Sequence, residues 1–394
     1  MRPTTIVLAA PLRTPIGKFG GALSSLSAAD LGTAAAQASL ERAGLDPAKI
    51  DQVVFGHARQ AGGGPNTARQ IAFRAGVPVE RPALTLNQAC GSGMQAVFTA
   101  ARAILLGEAR VVLAGGTESM SNTPYLLPRA RWGYRLGNQE IVDGMYRDGF
   151  NDPLSKLVMG ETAEELAVDK GVDRAAADAW GLRSQLRCEA ARRSGRFASE
   201  IVPVRVAGRK GDTVVDSDEH PRDGMTLAAM QKLPAVFRAG GTVTAGNASG
   251  ITDGAAALLV ASEEAARELG LQPVARLLGW STVGCDPRIM GIGPVPACAA
   301  LEASTGVRPG DVDQMELNEA FATQVVACLK EIEIDPERVN PDGGAIALGH
   351  PIGCTGARIL VSLIHGLAAR GGRRGIATLC VSGGMGLAAL VERL

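Results

Sequence analysis

Asn87-Gln88-Ala89-Cys90-Gly91-Ser92-Gly93-Met94-Gln95-Ala96 is the stretch on which the reading of this chain turns. A β-like run, Pro82 to Leu86, ends just before it, and a helical pattern runs from Met94 to Leu106 after it. The spacing therefore predicts a thiol, Cys90, at the N-terminus of a helix. Exposed N–H groups and the positive end of the helix dipole favour a thiolate there. The expectation is a Cys90 pKa lowered from the ordinary thiol value of about 8.5. The flanking glycines leave room for an acyl group to reach the sulfur.

Strand followed by helix is also the rhythm of the rest of the chain. Thr5 to Ala10 reads as a first strand, Ala28 to Ala43 as a helix, Val53 to Phe55 as a strand and Arg110 to Ala114 as a buried one. Such alternation indicates an α/β architecture with helices packed on sheets. The pattern also recurs. Ser39-Leu40-Glu41-Arg42-Ala43-Gly44, then Ile50-Asp51-Gln52-Val53-Val54-Phe55-Gly56, is echoed by Ala300-Leu301-Glu302, Gly306 and Val312-Asp313-Gln314-Met315-Glu316-Leu317-Asn318. Gly91-Ser92-Gly93 matches Cys354-Thr355-Gly356, and Val111 to Gly116 matches Thr378 to Gly384. Three matches in the same order at an offset of about 260 residues indicate a duplicated unit. The division is 1–120 for the first half, 121–250 for an inserted loop domain and 251–394 for the second half. Within the insertion, Pro124 to Tyr134 reads as irregular, Thr162 to Arg193 as a solvent-facing helical stretch, Ile201 to Val206 as a short strand and Gly208 to Asp212 as a turn. Long connections of this kind usually cover or bind something.

Composition narrows the function classes. The chain has 394 residues, 46% hydrophobic and 20% charged, the profile of a soluble globular protein. Lys+Arg and Asp+Glu are equal at 40 each, which gives no electrostatic case for nucleic acid. The seven cysteines show no metal-type spacing, so free thiols in a reducing, cytoplasmic setting are expected and no metal site is. No apolar run reads as long enough to cross a bilayer, the N-terminus reads as a strand rather than a signal segment, and the last three residues are not the peroxisomal tripeptide.

Three more stretches place a polar side chain beside small residues at a strand end or helix start, where α/β folds bind ligands. These are Asn318-Glu319-Ala320-Phe321; Gly343 to Gly356, which holds His350; and Cys380-Val381-Ser382-Gly383-Gly384. Duplication would bring the Cys90 and His350 loops to equivalent helix ends, and a thiol beside an imidazole is an activated nucleophile. A second thiol fits an enzyme that must also take a proton from carbon. Cys188, Cys285, Cys298, Cys328 and Cys354 read as core, and His57, His220 and His365 as structural or solvated. Asn318 alone reads equally as a turn or cap residue.

Together, in order, these four stretches resemble the thiolase family, and the likeness runs from Arg13-Thr14-Pro15-Ile16-Gly17 to Glu392-Arg393-Leu394. The resemblance implies a five-layered α-β-α-β-α fold made of two similar halves. It implies that Cys90 is acylated, that His350 takes its proton, and that Cys380 removes a proton from the second acyl-CoA. One oxyanion hole would be His350 with a water on Asn318; the other, the backbone N–H groups of Cys90 and Ser382. Arg222, Phe237, Ala245 and Ser249 would contact coenzyme A, and Met159 and Phe321 would line the acyl pocket. Without the resemblance, Arg222 is only a surface charge. The implied activity is reversible Claisen condensation of two acetyl-CoA to acetoacetyl-CoA and coenzyme A, or thiolysis of a short to medium 3-ketoacyl-CoA. Coenzyme A thioesters are then substrates, and no metal or redox cofactor is implied.

Departures from the family pattern are Ser382 where glycine is usual, Val158 where acetoacetyl members often carry histidine, and Ala229 in place of a serine near the coenzyme. Tyr125 to Asp143 resembles the family's tetramerisation loop, which implies a homotetramer built from two dimers. Two rivals are a decarboxylating ketoacyl synthase-like condensing enzyme, which would use Cys-His-His, and a non-catalytic acyl-CoA-binding paralogue. Cys380 argues against the first, and retention of all four polar groups argues against the second.

Overall fold

The computed structural model describes residues 4–209 and 211–394. The first half contains β1 (Ile6–Arg13), β2 (Gly17–Lys18), α1 (Ala28–Ala43), β3 (Gln52–Gly56), α2 (Thr67–Arg74), β4 (Ala83–Leu86), α3 (Ser92–Leu105) and β5 (Val111–Ser119). The insertion carries β6 (Tyr125–Leu126), β7 (Val142–Asp143), α4 (Met159–Lys170), α5 (Arg174–Arg193), β8 (Val204–Val206), β9 (Thr213–Val215) and α6 (Leu227–Gln231). Then come β10 (Thr252–Ser262), α7 (Glu263–Glu268), β11 (Pro273–Gly284), α8 (Pro294–Thr305), β12 (Gln314–Leu317), α9 (Ala322–Leu329), α10 (Ala345–Leu348), α11 (Ile352–Arg370), β13 (Arg374–Val381) and β14 (Met385–Arg393).

Hydrogen bonding links the main strands in the order β12-β13-β14-β11-β1-β10-β5-β3-β4. The path reads as one motif twice. In the first half β3 pairs parallel with β5, β5 antiparallel with β10, and β10 antiparallel with β1. In the second, β12 pairs parallel with β13, β13 antiparallel with β14, and β14 antiparallel with β11. The parallel bridge between Met315 and Val339 is what remains of a counterpart to β4. Pairing of β1 with β11 joins the halves.

Alternation along the strands then builds the layers. Leu8, Val112, Ala114, Leu258 and Val260 face one way, into a core with α3, α11 and the inner faces of β13 and β14. Their neighbours Val7, Val111, Leu113, Ala257 and Leu259 face the other way, onto Leu31 and Leu40 of α1 and Ile71 of α2. In the second half Met315, Leu317, Ile376 and Leu390 face outward onto Leu301 of α8 and Val325 of α9. Two helices thus lie between two β-layers, with further helices outside each, which is the five-layered arrangement expected.

Four expectations need correction. The division at residue 250 falls in the wrong place, because β10 lies between β1 and β5 and completes the first half. The match of Val111–Gly116 to Thr378–Gly384 is out of structural register: Gly115 and Gly116 sit inside β5, whereas Gly383 and Gly384 form the turn after β13, at φ of +85° and +81°. The stretch Thr162 to Arg193 is two helices, broken where Gly171 takes a left-handed φ of +58°, and α5 buries Trp180, Ser184, Gln185 and Cys188 rather than facing solvent. Lastly, α11 is by length and composition apolar enough to cross a membrane. It is instead buried over most of its length as half of the central layer, and a helix enclosed on all sides is apolar all round. The turn at Gly208 to Asp212 joins β8 to β9, with Lys210 outside the described residues.

The central pair is held at backbone contact. A Cβ on Gly93 would lie 2.7 Å from Ala357 N and 3.0 Å from Cys354 O, and one on Gly356 would lie 2.4 Å from Met94 N. The sheet presses in as closely: a Cβ on Gly116 would lie 2.3 Å from Gly353 O. Gly356→Ala should therefore cost about 2–3 kcal/mol by overpacking against main chain that cannot move aside. Gly371→Ala, at the open left-handed C-cap of the same helix, should cost only about 1 kcal/mol from its positive φ. Urea denaturation of the two variants checks this; equal losses would show that the close approach is not what Gly356 provides.

Candidate active site

Cys90 sits in a single tight turn, Ala89–Gly91, immediately before α3. The turn is stapled by its own neighbours. Asn87 Oδ1 accepts from Ala89 N–H (2.9 Å), Ser92 Oγ accepts from Gln88 N–H (2.8 Å), and the Ser92 hydroxyl donates to Ala89 O (2.7 Å). These bonds hold Ala89 at φ +45°, a left-handed conformation that alanine adopts only when its surroundings impose it. The thiol is thereby fixed at the mouth of the helix, with its own backbone N–H and that of Ser382 directed at the sulfur.

The thiolate expectation does not hold for the free protein. Burial raises the Cys90 pKa; the Arg59 cation and the two N–H groups oppose this without cancelling it, and the Glu118 carboxylate adds to it. Desolvation outweighs the cation and the N–H donors, so the shift is upward, towards the thiol.

His350 follows Gly349, whose φ of +105° and closeness to Thr252 exclude a side chain. Its Nδ1 lies 2.6 Å from Thr355 Oγ1, one turn into α11. The Thr355 hydroxyl donates to Pro351 O (3.0 Å), so its lone pair is free to accept from Nδ1–H. This network assigns the proton to Nδ1 and leaves Nε2 as the basic atom. Nε2 is buried with no hydrogen-bond partner among the described residues, and His350 lines the same cavity as Cys90. Burial, then the Arg358 and Arg59 cations, push its pKa down to about 3, so the imidazole is neutral at any working pH.

Cys380 is the last residue but one of β13, paired with Gly386 of β14. Burial, and next the Cys90 sulfur, hold its pKa well above the ordinary thiol value. Ser382, where glycine is the family habit, is not among the residues of positive φ; Gly383 and Gly384 take the left-handed turn instead. Its N–H is therefore presented as a glycine's would be.

The cavity that unites these groups is about 340 Å³, and Cys90, His350, Cys380 and Ser382 all line it, together with Met159, Phe321, Phe237, Ala245 and Ser249. Val158 is on the same wall. Two sequence-selected residues stand apart. Asn318 does not line the cavity; it is buried, and both polar atoms of its side-chain amide lack a partner among the described residues. Arg222 lines a neighbouring groove of about 530 Å³ with Lys18 and His220, which shares Ala245, Ala248 and Ser249 with the main cavity. The two spaces thus run from surface to sulfur past a common wall.

That wall is tied to the second half by main chain. Ser249 N–H donates to Ala320 O (3.0 Å), and Ala322 N–H to Asn247 O (2.8 Å). Phe237 packs edge-on against Phe321 and lies over the backbone of Gly160, where no side chain would fit.

Sequence reasoning passed over four residues that shape the site. Thr355 sets the imidazole. Glu118 receives the N–H groups of Ala58, Arg59 and Gly353 and the ring of His57, and so fixes the entry to α11. Glu319, inside the quoted Asn-Glu-Ala-Phe run, accepts from Trp180 Nε1, Ser184 Oγ and Asn340 Nδ2. Arg59 lines the cavity itself. Glu319 and Thr355 carried a signal, their places in the quoted motifs; Glu118 and Arg59 carried none. Of the cysteines read as core, Cys188, Cys298, Cys328 and Cys354 are buried, while Cys285 is half-buried.

Comparison with known proteins agrees over the whole chain. A family model described as thiolase, N-terminal domain matches residues 5–264, and one described as thiolase, C-terminal domain matches residues 271–393. The acetyl-CoA acetyltransferase of Cupriavidus necator is 47% identical over 391 residues, which is 99% of this chain and 100% of that protein. That of Chromobacterium violaceum is 48% identical over 389 residues, 98% and 99% of the two chains. Among solved structures, Bacillus anthracis acetyl-CoA acetyltransferase superposes with a TM-score of 0.97 at 46% identity, covering 99% of both chains. Human mitochondrial 3-ketoacyl-CoA thiolase in complex with CoA gives 0.95 at 41% identity, covering 99% and 98%. With a doubled fold, a thiol–imidazole–thiol cavity and full-length likeness of this degree, the chain belongs to the thiolase family.

Proposed function

We propose that this thiolase is an acyltransferase that interconverts two acetyl-CoA with acetoacetyl-CoA and coenzyme A, and cleaves short to medium 3-ketoacyl-CoA by the same steps. The observation that carries the reading is the convergence of Cys90, His350 and Cys380, distant in sequence, on one cavity. Curated relatives at 47–48% identity are named acetyl-CoA acetyltransferase.

In thiolysis the Cys90 sulfur attacks the 3-keto carbon while His350 Nε2 accepts the thiol proton. The N–H groups of Cys90 and Ser382, already directed at the sulfur, are suited to receive the oxyanion; one such donor is worth about 3–4 kcal/mol. The bond between carbons 2 and 3 then breaks, and Cys380 gives its proton to the carbanion, releasing acetyl-CoA. Coenzyme A takes the acyl group from Cys90, and the protons return. Condensation is the reverse: Cys380 removes the α-proton of acetyl-CoA. The enolate oxygen would be held by His350 and by a water on Asn318, whose buried, unpartnered amide supports such a bridge. The kinetics are ping-pong. Thiols, imidazole and backbone N–H supply every proton and charge these steps need, so no metal or redox cofactor is assigned. Arg222, on the outer groove, would meet the nucleotide end of coenzyme A, and Ser249 the pantetheine.

The segment Tyr125–Asp143 supports a homotetramer. It forms an arm closed by β6 and β7, and it exposes Trp132 (86%) and Leu136 (92%), side chains that a lone subunit gains nothing by holding in water. Edge strand β4, paired only to β3, is open for a dimer contact. All seven cysteines are free, which suits a reducing cytoplasm.

Cys90→Ala should abolish the acyl-enzyme, whereas Cys380→Ala should still acquire an acetyl group from acetyl-CoA but lose condensation. Intact-mass measurement reads both; absence of label from wild type and Cys380→Ala alike would end the assignment. Because burial raises the Cys90 pKa, alkylation by iodoacetamide should keep accelerating to a midpoint at or above the ordinary thiol value of about 8.5. A plateau near pH 6 would instead reveal a preformed thiolate–imidazolium pair. Trp132→Ser with Leu136→Asp should halve the mass seen in sedimentation, from tetramer to dimer; an unchanged mass would rule out the arm as the contact.

A further inference from the structure

Arg59 is out of place for a neutral-acyl site. It lies on the cavity wall among Met120, Phe150, Val158 and Ile352, and only 9% of it is exposed. Its guanidinium sits 5.9 Å from the centre of the Phe150 ring and against the backbone of Gly149, where an added Cβ would fall 2.1 Å from Nη2. Its backbone N–H is held by Glu118, but its Nε is buried with no hydrogen-bond partner among the described residues. Among the described residues no carboxylate pairs with this guanidinium; Glu118 is taken up by His57 and by three backbone N–H groups. Glu118 attracts the cation through space but forms no ion pair with its guanidinium, and a buried cation without a direct partner is costly and persists only where something compensates it. Of the other buried arginines, Arg13 is matched by both Glu200 and Asp218, and Arg358, whose guanidinium also lacks a hydrogen bond among the described residues, does not line the cavity.

Phe150, Met120 and Ile352 belong to the apolar cluster packed beside Cys90, the side on which a Cys90-bound acyl chain would extend. We infer that Arg59 is a specificity-determining residue that receives a carboxylate at the far end of the acyl chain, so that the substrates of this enzyme include 3-oxo-dicarboxylic acid mono-thioesters of coenzyme A. The inference rests on the thiolase reading above and narrows its substrate. In thiolysis of such a substrate the carbon 2–carbon 3 bond breaks and Cys90 retains the acyl group bearing the carboxylate. Acetyl-CoA leaves with the proton from Cys380, and coenzyme A takes up the diacid half. The carboxylate is a spectator held by Arg59 throughout. The guanidinium and the Cys90 sulfur line the same cavity, so the cation faces the space that an acyl group on the sulfur would enter.

The test compares the coenzyme A thioester of 3-oxohexanedioic acid with that of 3-oxohexanoic acid, equal in chain length and differing in the terminal charge, with acetoacetyl-CoA as reference. A charge-assisted pair of about 1.5–3 kcal/mol predicts a kcat/KM ratio of about 10- to 100-fold in favour of the diacid. Arg59→Leu should remove that ratio, and Arg59→Lys should retain part of it. Wild type that cleaves acetoacetyl-CoA but does not prefer the diacid overturns the inference and leaves the thiolase reading intact; wild type that cleaves none of the three overturns both. If Arg59→Leu slows both six-carbon substrates by the same factor, the guanidinium serves the thiol and not the substrate, and the inference fails. The wild-type comparison stands even if a variant does not fold.

Discussion

The contact of α3 with α11 through Gly93 and Gly356 is the constraint on which this molecule depends. Each half buries both faces of its strands, one against outer helices and one against the central pair. The central pair is shared, so neither half completes its core without the other. Because the two helices meet at backbone distance, the turns at their N-terminal ends also meet. One turn carries Cys90 and the other follows His350. The catalytic geometry is a consequence of how closely two helices can pack, and glycine is what permits that distance.

Burial then sets the electrostatics. The same enclosure that aligns the groups raises both thiols and lowers the imidazole, so the resting site is neutral. Charge appears only when a substrate arrives, and the N–H groups of Cys90 and Ser382 are in place to meet it. Such preorganisation costs nothing at the moment of reaction, unlike reorienting water. Arg59 is the exception, a standing positive charge on an otherwise neutral wall.

The insertion supplies the rest of the cavity, and a buried carboxylate attaches it. Glu319 joins Trp180 and Ser184 of α5 to Asn340 and to the N–H of Ile346 near the start of α10. The same segment, through Ala320 and Ala322, grips the loop at Asn247 and Ser249. One short run of sequence therefore positions both the covering domain and the approach to the sulfur.

Local order was legible without coordinates. The span of α1, the strand–turn–helix at Cys90 and the doubling follow from hydrophobic spacing, glycine placement and a repeated order of motifs, all properties of neighbours along the chain. The names of the acting groups were legible too, because a thiol or imidazole among glycines has few structural uses. What neighbours cannot encode is the balance of solvation. Whether a helix end or burial governs the Cys90 thiol depends on how much of the second half closes over it, and tertiary structure decided for burial. Likewise α11 is apolar enough for a membrane, and only its enclosure by two β-layers makes it a core helix. The Arg59 cation, unremarked in its loop, acquires meaning only from its place on the cavity wall, where no carboxylate among the described residues forms an ion pair with its guanidinium. Sequence determined which groups could react; packing determined their charge, their proton and their company, because desolvation is a property of the space around an atom rather than of its place in the chain.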